Sequence, residues 1–179
     1  MSQPLGLGAW TSPQADITSR ADLVVGSDLT LLGRSLDLEG SVVAGGQLDL
    51  FAADTIQIRD RLDYPFATLS YGVQTLEAET IDIFALSHPD SGLYAYGDLV
   101  LRSPNPIIID AYFNSLGNFR LENTNGLVGD GLSPNDPVIR ASGDVTFGTY
   151  TGASLHVLAG GRIRTGRITI NSADSTNGL

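Results

Sequence analysis

A three-residue unit, apolar–any–apolar, recurs along this chain and constrains its fold more than any other feature. It occurs at Leu29/Leu31, Leu36/Leu38, Leu48/Leu50, Ile56/Ile58, Leu76/Ala78 and Ile81/Ile83. It continues at Leu99/Leu101, Ile107/Ile109, Phe119/Leu121, Val145/Phe147, Leu155/Val157 and Ile168/Ile170. Alternation of period two marks a strand with one buried face. Gly, Asn, Asp and Pro punctuate the units and keep the strands short. The units are also spaced regularly: Leu36, Ile56 and Leu76 are 20 residues apart, and so are Leu38, Ile58 and Ala78. Leu29 and Leu48 differ by 19, and Leu99, Phe119 and Val138 by 20 and 19. No window shows the i, i+3, i+4, i+7 apolar spacing of a helix. A repeat this short, with two or three strands in each, predicts an all-β fold: a right-handed parallel β-helix, a solenoid with coils of about 20 residues. Roughly eight or nine such coils make a rod about 40 Å long.

In such a rod the inward residues form apolar columns along the axis. The spacing places Leu36, Ile56, Leu76, Leu99, Phe119, Val145 and Ile168 in those core columns. Outward positions repeat as well. Glu39, Arg59 and Glu79 are each 20 apart, which predicts Arg59 between two carboxylates, and Arg102 and Glu122 form a similar pair. Exposed ladders of this kind contribute about 0–1 kcal/mol per pair and act more on register than on stability. Residues 20–171 are assigned to the solenoid, with loop excursions near 63–71 and 122–137. Residues 1–19 read as an irregular leader or end cap, and 172–179 as a polar tail.

Charge narrows the partners. The net charge is −10, and all ten basic residues are arginine. A nucleic-acid binder needs a positive field to attract phosphates, and an anionic membrane surface makes the same demand. Neither is an expected partner. No cysteine is present, which removes disulfides, thiol nucleophiles and Cys-based zinc sites. No run of about 18 apolar residues exists, so no transmembrane segment is expected. The start, MSQPLGLGAW, lacks the features of a signal peptide, so the chain reads either as cytoplasmic or as part of a longer one.

Three stretches resemble the interior of filamentous-haemagglutinin-like exoproteins of two-partner secretion systems, of the cyanobacterial type. They are ADLVVGSDLTLLGRSLDLEGSVVAGG, IDIFALSHPDSGLYAYGDLVLRSPNP and SPNDPVIRASGDVTFGTYTGASLHVLAGG. The resemblance covers roughly Ala21 to Ile170 and includes the element G-D-L-x-L at Gly97–Leu101, with near matches GQLDL, GNFRL and GDVTF. The family's secretion motifs N-P-N-L and N-P-N-G-I do not occur, so the likeness is to the shaft. It implies a secreted or outer-surface β-helix used in adhesion. Its implied partners are glycans or proteins of host or neighbouring cells, and further β-helix coils of the same longer chain.

Individual motifs offer little catalysis. Gly161 to Ile168 matches the glycine spacing of a phosphate loop, but Arg167 and Ile168 replace its lysine and its hydroxyl residue. Arg162 and Arg164 are expected to face outward, with Asp144 placed to pair with either. SHPDSG, Ser87–Gly92, reads as a turn rather than a converging triad. GASLH has His156 where a nucleophile elbow needs glycine. No calcium-loop pattern occurs. No catalytic residue, cofactor or metal ligand is assigned, and the chain is not expected to be an enzyme. The second reading is a carbohydrate-binding or polysaccharide-degrading β-helix. There, outward Asp37, Asp49 and Asp82 would supply carboxylates and Tyr94, Tyr96, Tyr112 and Tyr150 would stack on sugars.

Overall fold

The computed structural model describes residues 13–61, 63–85 and 90–172. Among these residues every regular element is a strand, and every strand pairing is parallel. Strand β1 (Ile17–Ser19) comes first. It is followed by seven coils that share one plan. The first two coils are β2 (Leu23–Val25) with β3 (Leu29–Glu39), and β4 (Ser41–Ala44) with β5 (Leu48–Arg59). The third is β6 (Ala67–Ser70), β7 (Gln74–Glu77) and β8 (Thr80–Phe84), and the fourth β9 (Gly92–Ala95), β10 (Leu99–Arg102) and β11 (Ile107–Asp110). The fifth is β12 (Tyr112–Ser115), β13 (Phe119–Glu122) and β14 (Gly131–Ser133). The sixth is β15 (Val138–Ala141), β16 (Val145–Thr146) and β17 (Tyr150–Gly152), and the last β18 (His156–Ala159), β19 (Ile163–Arg164) and β20 (Ile168–Ile170).

The first strand of each coil joins a seven-stranded sheet, in the order β18-β15-β12-β9-β6-β4-β2. The other strands form a curled 13-stranded sheet with two faces. The long strands β3 and β5 run round the corner between those faces: the first part of β5 pairs with β7 and its second part with β8. The result is a solenoid-like stack of three faces around one core. Leu50, Leu76, Leu101 and Leu121 follow one another in register up the middle face, and all are fully buried.

The coils are not of one length. Leu23, Val42, Thr68, Leu93, Phe113, Ile139 and Val157 are successive register partners on the seven-stranded sheet. Their separations are therefore 19, 26, 25, 20, 26 and 18 residues. The 20-residue spacing holds for Leu36 and Ile56, but Ile56 stacks on Ile81, and Leu76 lies on another face, on Leu50. Phe119 likewise stacks on Val145 and not on Val138. The cause is extra chain between faces: residues 60–66 before β6, 85–91 before β9 and 123–130 before β14. Strand β6 lies inside the excursion expected at 63–71, β14 inside that expected at 122–137, and β1 within 1–19. Residues 1–12 and 173–179 lie outside the described residues.

Of the expected core columns, Leu36, Ile56, Leu76, Leu99, Phe119 and Val145 are fully buried, whereas Ile168, on the last coil, is 47% exposed. The expected ladder is redistributed. Glu39 and Arg59 are register partners, but Glu39 pairs with Arg20 at 3.1 Å, and Arg59 with Asp82. Glu79 Oε1 instead accepts from Asn105 Nδ2 at 3.3 Å, and its backbone carbonyl accepts from Ser103 Oγ and Asn105 Nδ2. The guanidinium set between carboxylates of the coils before and after its own is that of Arg102, 2.8 Å from both Glu77 and Glu122. Burial opposes its charge, but the hydrogen bonds to Glu122 and Glu77 prevail and hold its pKa above the usual arginine value. Asp144 does not meet the Arg162 guanidinium; its Oδ1 accepts the Arg162 backbone N–H at 2.8 Å.

That last bond belongs to a series that explains the G-D-L-x-L element. The corner between the seven-stranded sheet and the middle face is three residues long in every coil. Its second position is glycine in six coils, Gly46, Gly72, Gly97, Gly117, Gly143 and Gly161, and each glycine N–H from Gly72 on bonds the glycine carbonyl one coil earlier. At the third position, Asp28, Asp98, Asn118 and Asp144 each accept a backbone N–H from the next coil, at 2.8–2.9 Å. A side chain at Gly117 would overlap Asp98 Oδ1 and lie 2.8 Å from the Asp98 nitrogen. The glycine permits the approach, and the carboxylate or amide uses it.

A pair of inward polar residues, Gln74 and Thr68, interrupts the apolar pattern. Gln74 is buried between Leu48 and Leu99. Its Nε2 donates to Thr68 Oγ1 at 2.5 Å, while Oε1 is buried without a partner. Leaving a buried acceptor unmet costs about 1–3 kcal/mol, and replacing both partners of such a pair by apolar groups avoids it. The double variant Gln74→Leu/Thr68→Val is therefore expected to be more stable by about 1–2 kcal/mol. That raises the melting temperature by roughly 2–8 °C. A lower melting temperature in a thermal scan would refute this account of the site.

Candidate binding face

The outer surface of the seven-stranded sheet differs from the rest of this acidic chain. Its central outward positions, in register order, are Val24, Val43, Leu69, Tyr94, Asn114, Arg140 and Leu158. Beside them, at the glycine corner, stand Tyr71, Tyr96 and Leu116 in three successive coils. Their amides donate to Ala44, Ser70 and Ala95 carbonyls at 3.1, 2.9 and 2.9 Å. Coils about 4.8 Å apart force the two tyrosine rings together. Their centroids are 4.8 Å apart and their planes 19° from parallel, yet Tyr71 is 57% exposed and Tyr96 54%. A second pair, Tyr94 and Tyr112, lies further along the sheet, tilted, with centroids 5.8 Å apart.

Local contacts fix the second pair. Gly92 precedes Tyr94 on β9 and is the register partner of Tyr112. A side chain there would overlap the Tyr112 carbonyl and touch its Cβ at 3.0 Å, so glycine lets Tyr112 settle against the sheet. The Tyr94 hydroxyl donates to the Asp90 carbonyl at 3.2 Å, and Arg140 Nη1 donates to the Tyr112 hydroxyl at 3.1 Å. Burial pushes the Tyr94 hydroxyl above its ordinary pKa, with Tyr112 and Asp90 adding to the effect. It is a neutral hydrogen-bonding group at physiological pH. A shallow groove of about 400 Å³ crosses this face, lined by Ser41, Val43, Leu69, Tyr94, Tyr96 and Leu116 among others. The face thus offers flat aromatic and aliphatic surface with hydroxyl and amide groups at its margins.

The other expected site residues do not converge. Asp37 lies on the third face and pairs with Arg20 at 2.7 Å. Asp82, two coils on, pairs with Arg59. Asp49 lies on the middle face, where burial pushes its carboxyl above the usual range despite a hydrogen bond with Thr75. Asp37 and Asp82 share one outward column with Gln57 between them, but each is taken up by an arginine, whereas an acid and base must be free to face the substrate. His156 is half-buried on β18, and Ser87 and His88 lie outside the described residues. Among the described residues no three His, Asp or Glu side chains are grouped to hold a metal. Nor, among the described residues, is any helix long and apolar enough to cross a membrane.

Tyr150, expected outside as a sugar platform, is inside and fully buried. It occupies an inward position on β17, stacked between Gly131 and Ile168, and the small glycine makes room for the ring. Its hydroxyl donates to the Ser154 carbonyl at 2.5 Å. Burial pushes that hydroxyl up to about 12; a hydrogen bond with Ser133 opposes the shift, and Asp110 and Asp136 reinforce it. A folded pKa above the unfolded value of about 10 favours folding while the group is protonated. The contribution is complete below pH ~10 and is lost as pH rises towards ~12. Chemical denaturation at pH 9 and 11 should show a fall in stability that Tyr150→Phe reduces; an equal fall in both proteins would contradict the assignment.

Tyr71 carried no mark as a site residue in the sequence. Its signal is positional: it and Tyr96 each stand directly before the corner glycine. No family model matches this chain, and no curated protein and no solved structure matches it either.

Proposed function

We propose that the chain is a shaft segment of a large exported exoprotein of the filamentous-haemagglutinin-like type, projecting adhesive regions from a cell surface. The hand proposed for its coils is right-handed, in keeping with the strong preference of crossovers between parallel strands. The observation that carries this reading is the last coil. Ile163, Ile168 and Ile170 stand in line with the core columns, yet each is about half exposed. With Leu155 and Val157 they line an open apolar hollow of about 440 Å³. Strands β18, β19 and β20 end both sheets there. Unpaired edges of this kind accept further strands, and a following coil would cover the hollow and satisfy the edges together. The pairing of Asp37 and Asp82 with arginines favours a role without turnover of substrate.

The reading is tested by location and by chemistry. Antibodies against residues 13–172 should label intact cells of the source organism, and labelling confined to permeabilised cells would overturn the proposal. Incubation with a panel of acidic and neutral polysaccharides should release no reducing or unsaturated ends; release would replace the shaft with a lyase or hydrolase.

A further inference from the structure

We infer that the Tyr71–Tyr96 stack and the adjoining outer face of the seven-stranded sheet bind a neutral glycan chain laid along the solenoid axis. The inference goes beyond a shaft role and does not depend on it.

Shape is the first ground. The coil spacing repeats the outward positions in a straight line, so the face offers an extended chain the same kind of surface coil after coil. Tyr71 and Tyr96 form one platform, Tyr94 and Tyr112 a second, and Val43, Leu69 and Leu116 fill the space around them. On the near side of the stack, the positions in register with Tyr71 are Gly45 and Gly26, and a side chain at Gly26 would meet nothing within 4 Å. The ring face of Tyr71 turned away from Tyr96 therefore borders open space.

Chemistry is the second. A pyranose ring presents apolar C–H faces and a rim of hydroxyls. Tyrosine rings match the faces, and their hydroxyls, Asn114 and Ser41 match the rim. Charge is the third. Arg140 is the one cation among the central outward positions and already donates to Tyr112, so nothing there is built for a carboxylate or sulfate. A second copy of the chain would bring together two molecules of net charge −10, and like charges repel across an interface. A neutral ligand avoids that cost.

The test is affinity electrophoresis of the whole chain in gels containing xylan, hydroxyethyl cellulose or laminarin, with polygalacturonate and heparin as anionic comparisons. At least one neutral glycan should retard the protein, and the anionic ones should not. Tyr71→Ala/Tyr96→Ala should weaken retardation about tenfold or more, the loss expected for two aromatic contacts. Tyr71→Phe/Tyr96→Phe, which keeps the platforms, should retain most of it. Tyr64→Ala, in the corner before β6 and outside the groove lining, should change nothing. A readout on the unmodified chain guards against misfolded variants: the retarding glycan should protect Tyr71 and Tyr96, but not Tyr64, from nitration. Failure of every neutral glycan to bind, undiminished binding by the double alanine variant, or absence of protection would overturn the inference. So would a dimer that the double alanine variant abolishes, because a second copy would then be the occupant.

Discussion

Leu101→Asp is expected to leave the chain unfolded. Leu101 is fully buried, with Leu76 in register one coil before it and Leu121 one coil after. Losing the leucine from such a column costs about 2–5 kcal/mol. Burying an aspartate costs several more, whether it stays charged or takes up a proton. The sum reaches the whole stability of an ordinary domain, about 5–15 kcal/mol. In a stack the damage spreads, because each coil is held chiefly by its two neighbours. Far-UV circular dichroism should show loss of the β signal. A cooperative melt within a few degrees of the unchanged protein would mean that Leu101 does not face the core.

Gly117→Val tests the corner instead of the column and is expected to destabilise by about 3 kcal/mol or more. For a chain of this size that is a fall in melting temperature of roughly 6–12 °C. The new Cβ would overlap Asp98 Oδ1 and sit 2.8 Å from backbone atoms of Gly97 and Asp98. Relief requires the fourth and fifth coils to part, which breaks the Asn118–Asp98 and Gly117–Gly97 hydrogen bonds together. Gly126→Ala, in the long connection before β14, provides the contrast. A side chain there meets nothing within 4 Å, although φ is +73°, so the cost is that of backbone strain alone, about 1 kcal/mol. Equal losses in the two variants would show that close stacking at the corner is not the operative constraint.

The sequence discloses the class of fold through period-two alternation, because a side chain's inward or outward sense is decided locally. It discloses stacking order only where successive coils are equal in length. Leu36 and Ile56 are true partners because one residue, Gly40, joins β3 to β4. Ile56 and Leu76 are equally spaced in sequence, yet seven residues intervene between β5 and β6, and the spacing then lands on a different face. Every inward residue satisfies the same apolar rule, so alternation alone cannot say which column it belongs to. The same ambiguity placed Arg59 between Glu39 and Glu79, when the arginine so placed is Arg102. Tyr150 reads as an outward residue because it follows Gly148 and Thr149 in a turn-rich stretch; the ring goes inward because its register partner one coil earlier is Gly131. The binding face is a product of stacking alone: Tyr71 and Tyr96 are 25 residues apart, and only the register makes them neighbours.

The three corners of a coil are under different rules. Every linker from the seven-stranded sheet to the middle face is three residues long, while those returning to that sheet range from one residue to seven. The first corner behaves like a sprocket, engaging the turn beneath it by backbone hydrogen bonds at a fixed pitch. The returning corner is slack, and chain added there leaves the core undisturbed. The corner between the middle and third faces is slack too, with eight residues before β14, so insertions and deletions should accumulate at these two corners over evolutionary time. A foreign loop spliced between Asp110 and Tyr112, where the native linker is a single residue, would be carried on the rod as a side branch.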